Sequence, residues 1–103
     1  MYKLKLTPEK FRSLGFRYDV IGECYTYEFP VYKYKNSPTL FCRLWVDKDT
    51  EELNYVVQDV NRKIYAAFYN RECGGTNWVV LTVEENIAKE FKRLGVKKIK
   101  WHN

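Results

Sequence analysis

Long apolar runs are missing from this sequence of 103 residues. No stretch approaches the roughly 18 consecutive apolar residues of a membrane-spanning helix. The first ten residues alternate lysine with apolar residues, where a signal peptide would have an uninterrupted apolar core. We therefore expect a chain that is neither inserted in a membrane nor secreted, and a cytoplasmic location.

Cysteine and histidine are scarce, which limits the chemistry that the chain can carry. The three cysteines, Cys24, Cys42 and Cys73, are odd in number and far apart, unlike a disulfide framework or paired zinc ligands. We expect reduced thiols and predict no cofactor, although a metal site joining the cysteines to His102 is an alternative. Nucleophilic catalysis would need a base beside Cys73 or Ser13, and the single histidine lies at the C-terminal end, where chains fray. We predict that the protein is not an enzyme.

Positive charge is concentrated at the two ends of the chain. The formal net charge is +5, with +4 in residues 1–17 and +5 in residues 89–103, so the middle is net negative. If the two ends lie side by side, they form one basic face that suits an acidic partner. Otherwise these lysines serve solubility. Lys97, Lys98 and Lys100 are the candidates for phosphate contacts.

Two segments have the capping residues of helices. A short helix near the N-terminus has Thr7 as its N-cap and Gly15 as its left-handed stop. A long helix is predicted to begin at Asn77 or Thr76 and to end at Gly95. Apolar residues at steps of three and four place one stripe on that helix: Val80, Val83, Ile87, Phe91 and Leu94.

Between the helices the pattern is typical of β-strands. Four consecutive strands are predicted at residues 23–34, 39–47, 53–60 and 63–69. The predicted fold class is α+β: a four-stranded antiparallel meander with a short N-terminal helix and a long C-terminal helix packed on one face, in a single domain 1–103. The segments at 2–6 and 96–101 can form a further strand pair, which would join the two basic ends.

The strand at 39–47 has two different faces. Residues with even numbers from 40 to 46 are apolar, so Phe41, Arg43 and Trp45 point the other way. In the preceding strand, YTYEFPVYKY, the rings change phase at Pro30, which indicates a bulge or an edge position. The candidate partner-binding residues are Tyr32, Tyr34, Phe41, Arg43, Trp45 and Tyr65.

Three interpretations of this second sheet face remain open. The N-terminal segment can cover it as a second small core. It can be a protein interface, since Tyr, Trp and Arg carry binding energy when desolvated. It can also stack nucleotide bases, with lysines holding the phosphates.

The loop RECGGTNW, residues 71–78, is the one segment that resembles a small-molecule site. Gly74 and Gly75 can expose backbone N–H groups to an anion, and Cys73 can have a lowered pKa near a helix N-terminus. The alternative is a simple turn from strand to helix, which is favoured because the loop has no Walker lysine.

In general style, the chain resembles the small, lysine- and tyrosine-rich proteins that phages and prophages of low-GC bacteria encode. The resemblance runs through LTPEKFRSLGF (6–16), YTYEFPVYKY, PTLFCRLWVD and FYNRE. It implies a protein that binds and blocks a host factor, such as a defence protein. We therefore expect a protein-binding module with a host partner or with self-association through an edge strand. Nucleotide or single-stranded nucleic-acid binding is the alternative.

Overall fold

The computed structural model describes residues 1–70 and 77–99. The elements in chain order are β1 (Tyr2–Lys3), α1 (Pro8–Ser13), β2 (Arg17–Asp19), β3 (Cys24–Tyr34), β4 (Ser37–Asp47), β5 (Glu52–Asp59), α2 (Ala66–Tyr69), α3 (Trp78–Leu94) and β6 (Lys97–Lys98). The strands form one six-stranded antiparallel sheet in the order β2-β3-β4-β5-β1-β6. The α+β class, the antiparallel sheet and the C-terminal helix are confirmed, but the predicted count of four strands is wrong.

The fourth strand predicted over residues 63–69 is a helix for most of its length. Ile64 makes one isolated bridge to Gln58, and α2 begins at Ala66. Alanine is the best helix former and is depleted in strands, so Ala66 and Ala67 favour the helical turn. The aromatic residues of this segment favoured the prediction of a strand, whereas the two alanines between them favour a helix.

Three short strands that were not among the four predicted, β1, β2 and β6, bring the sheet to six strands. β2 pairs with the first three residues of β3, while β1 lies between β5 and β6. Lys3 is opposite Lys97 in the β1–β6 pair. The two basic ends of the chain therefore lie side by side, as the sequence suggested.

Both predicted helices have the expected caps. Thr7 Oγ1 accepts a hydrogen bond from a backbone N–H three residues on at 3.1 Å, and Asn77 Oδ1 accepts one from two residues on at 2.9 Å. Gly15 and Gly95 follow the helices with φ of 98° and 86°, in the left-handed region that glycine adopts without strain. None of the helices in the described ranges is long and apolar enough to cross a membrane.

One side of the sheet, which we call the inner face, supplies the hydrophobic core. The even-numbered residues of β4 and the predicted stripe of α3 are all buried there: Leu40, Cys42, Leu44, Val46, Val80, Val83, Ile87, Phe91 and Leu94. At the other end, the ring of Phe11 in α1 stacks on Tyr25 with centroids 4.1 Å apart, and Phe16 stacks on Tyr27 at 4.8 Å. Tyr25 is the register partner of Val46, so α1 covers the same face as α3. Of the three interpretations left open by the sequence, the one in which the N-terminal segment covers the opposite face is therefore wrong.

Candidate partner-binding face of the sheet

The opposite side of the sheet, which we call the outer face, carries alternate residues of the three long strands. Strand register aligns them in cross-strand rows: Thr26, Trp45 and Asn54; Glu28, Arg43 and Val56; Pro30, Phe41 and Gln58. None of these residues is buried, whereas their neighbours Cys42 and Leu44 are 0% exposed. No element of residues 1–70 and 77–99 therefore covers the outer face.

Arg43 lies at the centre of the outer face. It is two residues from Phe41 and from Trp45 on the same strand, and its register partner on β5 is Val56. Side chains two residues apart on a strand share a face, so the aliphatic stem of Arg43 lies among three apolar side chains. Trp45 is 36% exposed, and Phe41, Arg43 and Val56 are half-buried. Tryptophan and arginine are among the residue types that contribute most to protein interfaces when a partner desolvates them.

Next to this apolar group is a depression of about 490 Å³ lined by three arginines. Arg17 enters it from β2, as the register partner of Thr26, and Arg43 enters it from β4. Arg62 comes from the turn after β5, where Asp59 Oδ1 accepts hydrogen bonds from two backbone N–H groups at 2.8 and 3.0 Å. The lining includes one carboxylate, that of Glu28.

The end of the outer face near β2 is acidic and contains a thiol. Asp19 and Asp47 are the register partners of Cys24 on either side. Burial raises the pKa of the Cys24 thiol, these two carboxylates raise it further, and Arg43 opposes them. Burial alone raises the pKa of Cys42, on the inner face, to about 12. Both thiols are therefore held in the unreactive protonated form.

Two of the predicted partner-binding residues, Tyr32 and Tyr65, do not lie on the outer face. The register shifts after Pro30, so that Val31 is an extra residue and Tyr32 pairs with Leu40. The predicted bulge therefore turns Tyr32 to the inner face, where it packs against the core. Tyr65, the N-cap of α2, also packs against the core. Tyr34 is 59% exposed and pairs with Ser37 beside the β3–β4 turn, away from the centre of the outer face. Phe41, Arg43 and Trp45 are the predicted residues that the structure brings together.

The edge of β3 that faces away from β4 is only partly available for pairing with another strand. β2 covers its first three residues, and beyond them α3 lies alongside. Asn86 Nδ2 donates a hydrogen bond to the Val31 carbonyl at 2.8 Å, and Pro30 has no N–H to offer an incoming strand. A bulge, a proline and an occupied carbonyl are the features that discourage edge-to-edge pairing, so they weigh against self-association through β3.

The predicted phosphate-binding lysines lie elsewhere on the sheet. Lys97 and Lys98 form β6, and Lys97 shares a depression of about 320 Å³ with Lys3 and Lys5. This edge is three strand steps from β4, or about 14 Å. The remaining predicted site residues, Lys100, Cys73, Gly74 and Gly75, lie outside the described residues.

Arg17 and Arg62 were missed as site residues. In the sequence, Arg17 is one of the charges of residues 1–17, and Arg62 lies between two predicted strands with nothing to place it over the sheet. Strand β2, at three residues, is too short for an alternating pattern to show. The signal that could have found Arg17 is the pairing of residues 17–19 with the aromatic strand that follows.

Comparison with known proteins identifies a fold and no family. No protein-family model matches the sequence, and no curated protein matches it. The crystal structure of a DUF1831 family protein from Lactobacillus plantarum is similar, with a TM-score of 0.57 and 13% sequence identity. The match covers 93% of this chain and 84% of that one. At this identity the similarity shows a shared fold alone.

Proposed function

We propose that this protein binds another protein through the outer face of its sheet and acts by occupying the partner's surface. The observation that carries the proposal is the group formed by Phe41, Arg43 and Trp45, uncovered on a face to which neither α1 nor α3 contributes. In its finer form, the partner is a host factor that the protein inhibits, as the resemblance to phage-encoded proteins implied.

The separation of the two faces supports this proposal. The inner face and the helices account for the buried apolar residues, so the fold does not require an indole at position 45. Phe41, Trp45 and Val56 are adjacent to one another around Arg43, and contiguous exposed apolar patches of this kind mark interaction sites. Centrally placed Trp and Arg side chains are also where alanine substitution most weakens protein complexes.

A pair of tryptophan variants tests the proposal. Trp78 on α3 is 76% exposed and lies outside the outer face, so Trp78→Ala is a matched control for Trp45→Ala. Tagged wild type and both variants are used to capture proteins from a lysate of the encoding organism, with quantitative mass spectrometry of what each retains. We expect a partner that wild type and Trp78→Ala retain and that Trp45→Ala loses at least tenfold. Equal retention by all three would contradict the proposal.

Single-stranded nucleic-acid binding is a second candidate, favoured by the lysines that meet at the β1–β6 edge. Lys3, Lys5 and Lys97 line one depression, and Lys98 Nζ lies 5.8 Å from the ring centroid of Tyr2. Binding through lysine–phosphate contacts weakens steeply as salt rises. Nuclease treatment of the same lysate separates the two candidates, because a protein partner remains bound and a nucleic-acid-dependent one is lost.

A further inference from the structure

We propose that the depression lined by Arg17, Arg43 and Arg62 binds an acidic peptide segment of the partner. The inference rests on the proposed function and adds the chemistry of the bound segment. It would be carboxylate-rich over the arginines, with an apolar residue next to them on Trp45.

The three guanidinium groups are positive charges without a salt-bridge partner among the described residues. None of them makes a side-chain hydrogen bond or a salt bridge with another described residue, although Arg93 on α3 pairs with Glu90. Their depression of about 490 Å³ contains the single carboxylate of Glu28. Positive charges gathered around a concave surface attract an anionic ligand and raise its rate of association.

The position of Arg43 gives this depression an apolar side. Arg43 lines the depression and also lies between Phe41 and Trp45. Arg17 and Trp45 flank Thr26 on neighbouring strands, two strand steps or about 10 Å apart. A short extended peptide spans this distance with about three residues. One segment can therefore place a carboxylate on an arginine and an apolar side chain on the indole.

A peptide fits this surface better than a nucleic-acid strand does. The planar fork of arginine matches a carboxylate with two parallel hydrogen bonds. Asp19 and Asp47 on the same face, together with Glu28 inside the depression, would repel a continuous phosphate backbone. A peptide can place its carboxylates over the arginines alone.

The test uses fluorescence anisotropy with three labelled probes. These are a peptide of three glutamates followed by one leucine and three serines, the same peptide with glutamines in place of the glutamates, and a decamer of deoxythymidine. We expect the acidic peptide to bind the full-length wild type and the glutamine peptide to bind at least tenfold more weakly. Arg43→Glu should weaken the acidic peptide at least tenfold. Arg43→Gln, which keeps much of the side chain, should weaken it about threefold.

The control variant, Lys89→Glu, changes the net charge by the same amount as Arg43→Glu but lies away from the outer face. Lys89 lies on α3 and pairs with Glu85 at 3.3 Å, so Lys89→Glu changes the charge without touching the outer face. Equal weakening by Lys89→Glu and Arg43→Glu would overturn the inference. So would binding of the acidic peptide that no arginine variant changes, tighter binding of the thymidine decamer, or no binding of the acidic peptide at millimolar concentration.

The lysate capture distinguishes failure of this inference from failure of the proposed function. A partner lost from Trp45→Ala and kept by Arg43→Glu means that the outer face binds a protein without an acidic segment on the arginines. A partner kept by both variants means that the outer face is not the interface, and then both proposals fail.

Discussion

Leu44 and Trp45 are adjacent on β4, but the first is buried in the core and the second is partly exposed to solvent. Leu44 is 0% exposed on the inner face, and Trp45 is 36% exposed on the outer face. A leucine removed from a packed core costs its transfer free energy and leaves a cavity, whereas a partly exposed tryptophan leaves space that water can fill. The larger side chain should therefore matter less for stability.

We predict that Leu44→Ala destabilises the protein by about 3–5 kcal/mol and that Trp45→Ala destabilises it by about 1–2 kcal/mol. The measurement is urea unfolding of the two variants, followed by far-ultraviolet circular dichroism. If Trp45→Ala lowered the free energy of unfolding as much as Leu44→Ala, the indole would be part of the core. The proposal that the outer face binds a partner would then lose its main support.

Cys42 gives the fold a dependence on alkaline pH. Burial raises its pKa from 9.0 to about 12, so in the folded protein the thiol stays protonated while the unfolded thiol ionises. The folded pKa is the higher one, so the thiol's contribution to stability is complete below pH 9 and is lost as pH rises toward 12. Each pH unit in that range removes about 1.4 kcal/mol.

We predict that the stability advantage of wild type over Cys42→Ala shrinks by about 2 kcal/mol between pH 7 and pH 10.5. Tyrosines and lysines also titrate there, but they are the same in both proteins, so the difference isolates the thiol. Urea unfolding of both proteins at the two pH values measures it. A difference that stays constant would show that Cys42 ionises as freely when folded.

At the level of elements, α3 is joined to the irregular part of β3 by one polar contact. Asn86 Nδ2 donates to the carbonyl of Val31, the extra residue of the bulge, which has no register partner on β4. A buried carbonyl that loses its donor costs more than an exposed one. Val31 is 1% exposed, so this hydrogen bond helps to fix the bulge that turns Tyr32 inward.

We predict that Asn86→Ala destabilises the protein by about 1–3 kcal/mol and that Asn86→Asp costs at least as much, because a carboxylate cannot donate to the carbonyl. Lys89→Ala, on the same helix and exposed, is the control and should change stability by less than about 0.5 kcal/mol. Thermal unfolding of the three variants measures the effect. An unchanged melting temperature for Asn86→Ala would mean that the bulge does not depend on α3.

The elements that sequence alone predicted are those long enough to show a period. The α3 stripe, the caps at Thr7 and Asn77, and the alternation in β4 all follow from local chemistry. Strands of two or three residues are too short to show an alternating pattern. They form because a partner strand lies beside them. Phe41, Arg43 and Trp45 could be predicted because they share one strand, whereas Arg17 and Arg62 join them only through long-range pairing.

At the scale of the molecule, the helices in the described part of the chain leave one sheet face without a covering layer. α1 and α3 both lie on the inner face, and the two basic ends meet at the β1–β6 edge. An antiparallel sheet can keep one face toward solvent, and such a face is normally polar. The outer face departs from that pattern at Phe41, Trp45 and Val56, which is why we assign it to a partner.

A photo-crosslinking side chain tests this assignment in living cells. Benzoylphenylalanine is placed at position 45 in one variant and at position 78 in the other, and covalent adducts are identified by mass spectrometry after illumination. We predict an adduct with one protein from position 45, which disappears when Arg43→Glu is added, and none with that protein from position 78. An adduct of equal yield from position 78, or none from position 45, would contradict a partner seated on the outer face.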